Sequence, residues 1–115
     1  MQKSPFPEPP LEEQYRILKA AEGRGHLSQR HLARDLGYSL GKVNYLLQAL
    51  MEKGFIKLEN FRTSQNKMAY RYILTAEGLR AKFAITREFL QWKEAEYERT
   101  KREVEELREE LGGMK

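Results

Sequence analysis

The sequence predicts a mainly helical α+β domain with three short helices, a two-stranded hairpin and a long final helix. Residues 29–50 contain two apolar helical patterns separated by a glycine, and residues 55–74 contain two short strand-like runs around a polar turn. From residue 76 onward, a heptad seam with alternating spacings of four and three is mostly apolar and is interrupted by Thr86, Lys93 and Thr100. A chain of 115 residues can form one domain with a modest core.

The N-terminal region predicts a tail followed by a helix. Residues 1–10 are rich in proline, lack the apolar stretch of a secretory signal and are expected to form a flexible tail. A first helix is predicted from Leu11 to Glu22, ended by Gly23 and Gly25. Its apolar stripe consists of Leu11, Tyr15, Leu18 and Ala21.

Residues 29–50, QRHLARDLGYSLGKVNYLLQAL, predict two helices around a tight turn. Ala33 is small enough for the helices to cross closely, and Gly37 suits the positive φ at which the first helix must end. Ser39 can cap the second helix. This joint spacing is typical of a helix-turn-helix, which places its second helix in the major groove of DNA. The residues predicted to face inward are Leu32, Leu36, Val43, Leu46, Leu47 and Leu50.

The second helix of the motif, from Ser39 to Lys53, is the predicted recognition helix. Its outer face carries two amide side chains four residues apart, Asn44 and Gln48, which suit bidentate contact with adenine. Basic side chains near the helix N-termini and in the later turn are expected to contact phosphates. The predicted DNA-binding residues are Ser28, Gln29, Arg30, Ser39, Lys42, Asn44, Tyr45, Gln48, Arg62, Asn66 and Lys67.

The segment after the recognition helix predicts a β-hairpin. Residues 55–61 are expected to form a strand with Ile56 and Leu58 on its inner side, and residues 69–74 a second strand. The polar residues 62–68, RTSQNKM, predict the turn between them. Three helices followed by such a hairpin form a winged helix, predicted here over residues 11–75, with the turn as its wing.

Thr75 is predicted to cap a last helix over residues 76–111, which would be about 55 Å long and therefore longer than so small a domain is wide. Its heptad pattern indicates a coiled coil and a homodimer. A single solvated helix with internal ion pairs is the alternative, since charged residues dominate after residue 98. The predicted dimer contacts are Leu79, Phe83, Leu90, Tyr97, Val104, Leu107 and Leu111.

Charged residues that flank the heptad pattern favour parallel helices. In a parallel pair, Glu96 faces Lys101 of the partner subunit and Glu103 faces Arg108 of the partner subunit, whereas an antiparallel pair brings like charges together. A second apolar stripe on the same helix is expected to pack on the first helix or on a partner. This stripe consists of Ile85, Phe89 and Trp92.

The net charge of +4 is unevenly distributed. Residues 24–72 contain nine basic and three acidic side chains, a net charge of +6. Residues 76–115 contain nine basic and ten acidic side chains, a net charge of −1. Positive charge is therefore concentrated on the predicted winged helix, as phosphate binding requires, while the last helix suits protein contacts.

The composition excludes several classes of protein. Cysteine is absent, which excludes disulfides and thiolate metal sites, and no apolar run approaches the roughly 20 residues of a membrane span. We therefore expect a cytoplasmic protein. The two histidines, His26 and His31, are five residues apart rather than three or four, so no metal site, cofactor or catalytic centre is predicted. His31 is expected on the outside of the second helix, near a phosphate.

Four segments make the chain resemble the MarR family of winged-helix regulators, specifically the short subgroup associated with exopolysaccharide (EPS) biosynthesis clusters in bacteria. They are PLEEQYRIL, the run LSQRHLARDLGYSLGKVNYLLQALMEKGFIKLENF, the LTAEG turn and the heptads TREFLQWKEAEYE. The resemblance extends from about Ser4 to Leu107. It implies transcriptional control by a homodimer on duplex DNA with an inverted-repeat operator.

The chain departs from the MarR pattern in two places. Many MarR proteins have an Asp and Arg pair in the wing, where this sequence reads QNKM, so Lys67 or Arg62 would have to replace the arginine. Larger members fold two C-terminal helices around an effector pocket; this chain has one continuous helix, so the resemblance does not extend to that pocket. An alternative function for such a domain is a protein-binding adaptor that docks acidic partners on its basic face.

Overall fold

The computed structural model describes residues 8–23 and 28–113 of the chain. The two strands pair in antiparallel register, with Ile56 opposite Leu74 and Arg62 opposite Met68. The structure confirms the predicted winged helix-turn-helix with a long C-terminal helix. Its elements are α1 (Leu11–Gly23), α2 (Gln29–Leu36), α3 (Leu40–Glu52), β1 (Ile56–Arg62), β2 (Met68–Leu74) and α4 (Ala76–Gly112).

Ser39 and Gly37 take the capping roles predicted for the helix-turn-helix, and Ser28, predicted only as a DNA-binding residue, caps α2. The Ser28 hydroxyl accepts a hydrogen bond from the His31 backbone amide at 3.1 Å and begins α2. Ser39 accepts from the Lys42 amide at 3.1 Å and begins α3 in the same way. Gly37 ends α2 at φ +70°, in the left-handed region that glycine adopts at low cost.

The core lies where α1, α2 and α3 meet the start of the hairpin and the first turns of α4. The predicted inward residues are buried except Leu36, which is partly buried against the core. The stripe predicted for α1 omits Ile17, which the structure buries completely. The side chains with almost no exposure are Ile17, Leu18, Leu32, Val43, Leu46, Leu47 and Leu50.

A flexible tail is expected for residues 1–10, but residues 8–10 are held against the domain. Residues 1–7 of this expected tail lie outside the described part of the chain, as does Gly25. Pro9 is buried, and its backbone carbonyl accepts a hydrogen bond from the side-chain amide of the buried residue Gln14 at 2.8 Å. The Glu8 carboxylate forms an ion pair with Lys53, which holds the pKa of Glu8 below its ordinary value. A buried amide and a lysine therefore anchor this segment, and sequence patterns do not reveal either contact.

The hairpin projects beyond the core. Ile56 is buried as expected, but the prediction that Leu58 faces inward is wrong, since Leu58 is 48% exposed. Leu58 lies on the same face of β1 as Ile56, two residues further along a strand that has already left the globular part of the domain. Tyr70 on β2 is also exposed for this reason.

The base of α4 packs on α1, which confirms one of the two expectations for its second apolar stripe. Ile85 is buried, and the Phe89 ring stacks between Tyr15 of α1 at 5.3 Å and Trp92 at 6.4 Å. The rest of α4 extends away, and every residue from 97 to 113 is exposed. Within the described ranges no helix is both long and apolar enough to cross a membrane.

A close contact joins α4 to the end of α3. The turn after α3 ends at Phe55, whose carbonyl accepts a hydrogen bond from the Thr75 amide at 3.0 Å. The Thr75 hydroxyl donates to the Gly54 carbonyl at 2.6 Å and accepts from the Gly78 amide at 2.9 Å, which caps α4 as predicted. A Cβ on Gly78 would lie 2.0 Å from the Phe55 carbonyl oxygen. Only glycine fits this contact without displacing backbone.

We predict that Gly78→Ala lowers the free energy of unfolding by about 1–3 kcal/mol or more, because the added methyl group overlaps a backbone carbonyl that cannot move independently. Gly41→Ala is the matched control, since its Cβ would meet nothing within 4 Å. It should leave the stability unchanged or raise it slightly. Urea unfolding followed by circular dichroism measures both values. Equal stability of the two variants would contradict the close contact.

Candidate nucleic-acid interface

The outer face of α3 presents a small set of polar side chains around Asn44. Asn44 is exposed and Gln48, one turn later, is half-buried. Tyr45, which is also predicted on this outer face, is instead partly buried against the core. Leu40, in the first turn, is 45% exposed and adds an apolar group that is not among the predicted DNA-binding residues. Such a side chain suits contact with a thymine methyl group.

Hydrogen bonds connect this face to two other elements. The Gln29 side-chain amide, at the start of α2, donates to Asn44 Oδ1 at 3.2 Å and to the Tyr72 hydroxyl of β2 at 3.0 Å. Gln48 Nε2 donates to the same Asn44 Oδ1 at 3.4 Å. The structure therefore brings together three of the predicted DNA-binding residues, Gln29, Asn44 and Gln48.

Tyr72 belongs to this network, although its position in the sequence predicts only a strand residue. It is half-buried and pairs with Leu58 across the hairpin. Its link to Gln29 spans 43 residues of sequence, and no local pattern predicts a contact of that kind. The alternation of side chains along a strand predicts only that Tyr72 lies on the same face of β2 as Leu74.

Lys42 is held by acidic and aromatic neighbours instead of extending freely. Its Nζ forms an ion pair with Glu13 of α1 at 2.5 Å and lies 4.4 Å from the centre of the Tyr38 ring. The hydrogen bond to Glu13 raises the pKa of Lys42 above its ordinary value. The charged form that pairs with Glu13 is therefore present at neutral pH and is lost only when the pH rises through this raised pKa.

The N-terminal turn of α2 supplies further polar groups. Arg30 is exposed. The Ser28 hydroxyl, which caps the helix, also lies 2.9 Å from Nδ1 of the exposed His31. The structure thus places His31 on the outside of α2 as expected, whereas His26 lies outside the described residues. A helix N-terminus with a basic side chain attracts phosphate oxygens.

The tip of the wing is a tight turn with two basic side chains beside it. Thr63 and Lys67 form a backbone hydrogen bond at 2.9 Å, and Asn66 has φ +60°, a conformation that asparagine tolerates better than most residues. The turn covers residues 63–67, shorter than the predicted 62–68, because Arg62 and Met68 still pair as strand residues. Arg62 donates to the Asn66 carbonyl at 3.4 Å. Both Arg62 and Lys67 are exposed.

An ion pair across the hairpin stiffens the wing. Arg71 of β2 contacts Glu59 of β1 at 3.0 Å and lies 5.1 Å from the centre of the Phe61 ring. These residues alternate with the face that carries Tyr72. The face that carries Tyr72 also exposes three apolar side chains beyond the core, Leu58, Met68 and Tyr70.

We predict that Glu13→Gln lowers the pKa of Lys42 toward its ordinary value, because Glu13 supplies the hydrogen bond and much of the charge that raise it. Glu12→Gln is the matched control, since Glu12 contacts Arg16 and acts on Lys42 only as a weaker, more distant charge. NMR titration of the Lys42 side chain measures both shifts. The assignment of Lys42 to Glu13 fails if the two variants shift this pKa equally.

Comparison with known proteins identifies the fold. Residues 14–57 match the sequence model of a family described as winged helix-turn-helix DNA-binding. This match extends from α1 to the start of β1, so it includes the helix-turn-helix. No curated protein sequence matches the chain significantly.

Solved structures extend the comparison to most of the chain. The PcaV transcriptional regulator from Streptomyces coelicolor, in complex with its natural ligand, is 23% identical with a TM-score of 0.59; the match covers 72% of this chain and 57% of that chain. A PadR-like transcriptional regulator from Bacillus cereus is 16% identical with a TM-score of 0.65; the match covers 72% of this chain and 85% of that chain. A mutant form of MepR from S. aureus is 21% identical with a TM-score of 0.53, over 91% and 76%.

The chain thus spans little more than half the length of PcaV. At these identities the similarity establishes the architecture. The protein has the winged helix-turn-helix fold of these transcriptional regulators, with a two-stranded wing and a long C-terminal helix.

Proposed function

We propose that this protein is a transcriptional regulator of the MarR type that binds duplex DNA as a homodimer. The observation that carries this proposal is the arrangement of polar side chains on α3, within the segment that matches the winged helix-turn-helix DNA-binding family. In this proposal α3 enters the major groove, where Asn44 and Gln48 contact bases. Arg30 and the wing residues Arg62 and Lys67 contact phosphates and set the position of the domain.

The exposed apolar residues of α4 support the proposed dimer. They recur at heptad spacing along a helix whose residues 97–112 are all exposed. In water such a stripe favours burial against an identical stripe. We propose that two copies of α4 pair in parallel. The exposed apolar residues at heptad positions are Leu79, Phe83, Leu90, Tyr97, Val104, Leu107 and Leu111.

Pairing about a two-fold axis implies an inverted-repeat operator. Half-sites about one helical turn apart, near 34 Å, would bring one recognition helix of each subunit into the major groove. On the basis of the resemblance to the short EPS-associated subgroup, we propose that the operator lies at exopolysaccharide genes.

Selection of bound duplexes from a random pool, followed by sequencing, tests the proposed function. A regulator of this type enriches an inverted repeat, and its affinity falls steeply as the salt concentration rises. An adaptor that docks acidic proteins on the basic face would enrich no sequence. A pool without an enriched repeat would therefore overturn the proposal in favour of that alternative.

We predict that Asn44→Ala and Gln48→Ala each cost about 1–3 kcal/mol on the selected operator and relax its sequence preference, because both residues contact base edges. The control is the double variant Arg62→Ala, Lys67→Ala, which removes charge and leaves α3 intact. It should weaken binding to all duplexes and lower the salt slope by about one unit per lost phosphate contact. Fluorescence anisotropy on operator and random duplexes gives, for each variant, the ratio of its affinity for operator to its affinity for random DNA. An unchanged ratio in both α3 variants would mean that another surface reads the bases.

We predict that Leu90→Asp, Tyr97→Asp converts the dimer to a monomer, since it places like charges across the paired helices. The matched control is Gln91→Asp, Ala95→Asp, which adds the same charge on exposed positions away from the heptad stripe. Only the first variant should lose operator affinity, by far more than it loses affinity for random DNA. Sedimentation measures the mass, and circular dichroism tests whether the winged helix persists. A monomeric wild-type protein at micromolar concentration would contradict the dimer.

A further inference from the structure

The oxygen of the Asn44 side chain is already occupied within the protein. A carbonyl oxygen has two lone pairs, and Asn44 Oδ1 accepts from Gln29 Nε2 at 3.2 Å and from Gln48 Nε2 at 3.4 Å. The structure shows no hydrogen bond from Asn44 Nδ2 to any residue in the described ranges, and the side chain is exposed. The group that Asn44 offers to a ligand is therefore its NH₂ donor.

We propose that Gln29 and Tyr72 hold Asn44 as a hydrogen-bond donor, so that it selects a guanine in the major groove. This inference rests on the proposed binding of duplex DNA and specifies which base the recognition helix prefers at one position. It replaces the bidentate adenine contact expected from the sequence.

The major-groove edges of the two purines explain the preference. Adenine presents one acceptor, N7, beside one donor, the N6 amino group, so bidentate contact needs both the NH₂ and the oxygen of an asparagine. Guanine presents two acceptors, N7 and O6. When the oxygen of the asparagine is occupied, only its NH₂ group remains for the base. This donor would face the adenine N6 amino group, which is also a donor, whereas it can donate to either acceptor of guanine.

Tyr72 is the positioning residue at the far end of this network. Its hydroxyl accepts from Gln29 Nε2 at 3.0 Å and so directs the same amide group whose second hydrogen reaches Asn44. Gln29 is half-buried between α2, α3 and β2. Without the tyrosine hydroxyl, the Gln29 amide is free to rotate away, and Asn44 Oδ1 regains a lone pair for adenine.

Base preference in Tyr72→Phe and Tyr70→Phe tests the inference. Both variants remove one hydroxyl from the same strand, and Tyr70, which is 60% exposed, is the matched control outside the network. The operator is first selected with the wild-type protein, and the base pair read by Asn44 is identified as the one whose preference Asn44→Ala abolishes. Affinities for operators with guanine or adenine at that pair are then measured for each variant.

The wild-type protein and Tyr70→Phe should prefer guanine by about tenfold, which is within the range that one mismatched base pair costs a specific complex. Replacing that guanine with 7-deazaguanine should reduce the preference, because N7 is lost as an acceptor. In Tyr72→Phe the guanine-to-adenine ratio should fall several-fold while the affinity for random duplex stays the same. If Tyr72 had only a structural role, Tyr72→Phe would instead lower the affinity for all duplexes equally.

The possible failures are distinguishable. Adenine at the Asn44 base pair in the wild-type selection, or identical base ratios in Tyr72→Phe and Tyr70→Phe, would overturn the donor role of Asn44 and leave DNA binding intact. If the wild-type protein enriches no duplex at all, the proposed function fails, and the inference fails with it.

Discussion

The backbone carbonyl of Phe55 is the point on which the arrangement of the whole domain depends. It lies at the end of the turn that closes α3, accepts the Thr75 amide and lies against the bare Cα of Gly78. One turn therefore fixes the end of the candidate recognition helix and the start of α4 at the same time. Because these contacts involve backbone atoms, neither helix can rotate against the other without breaking hydrogen bonds. The direction of α4 is thus fixed relative to the surface that α3 presents.

A second set of contacts, formed by side chains, holds the wing and the helix-turn-helix in register. Gln29 joins α2 to Asn44 on α3 and to Tyr72 on β2, while Glu59, Phe61 and Arg71 stiffen the hairpin from its other face. These contacts are polar and lie near the surface, so they contribute little to overall stability. Their effect is to give the exposed amide groups one defined orientation. A site that discriminates between bases needs such preorganisation more than it needs additional charge.

Local signals explain which parts of the structure the sequence predicts. Ser39 and Thr75 cap helices, and Gly37 ends one, through contacts within four residues, so their roles are visible in the sequence. Long-range contacts are not visible. The exposure of Leu58 depends on how far the hairpin projects, and the hold of Glu13 on Lys42 depends on how α1 crosses α3. For the candidate site, residue types predicted which face is polar, whereas only the structure shows that Asn44 has its oxygen occupied.

The outer half of α4 has a consequence for how the protein behaves at different concentrations. From residue 97 onward its side chains have no covering partner within the described chain, and isolated helical segments of this length are marginally stable in water. In the proposed dimer, order in this segment comes from association and therefore follows mass action. Dilution would fray the helix ends and separate the subunits in one linked equilibrium. The concentration of the protein would then set the fraction of chains that are assembled, and at low concentration most chains would be monomeric.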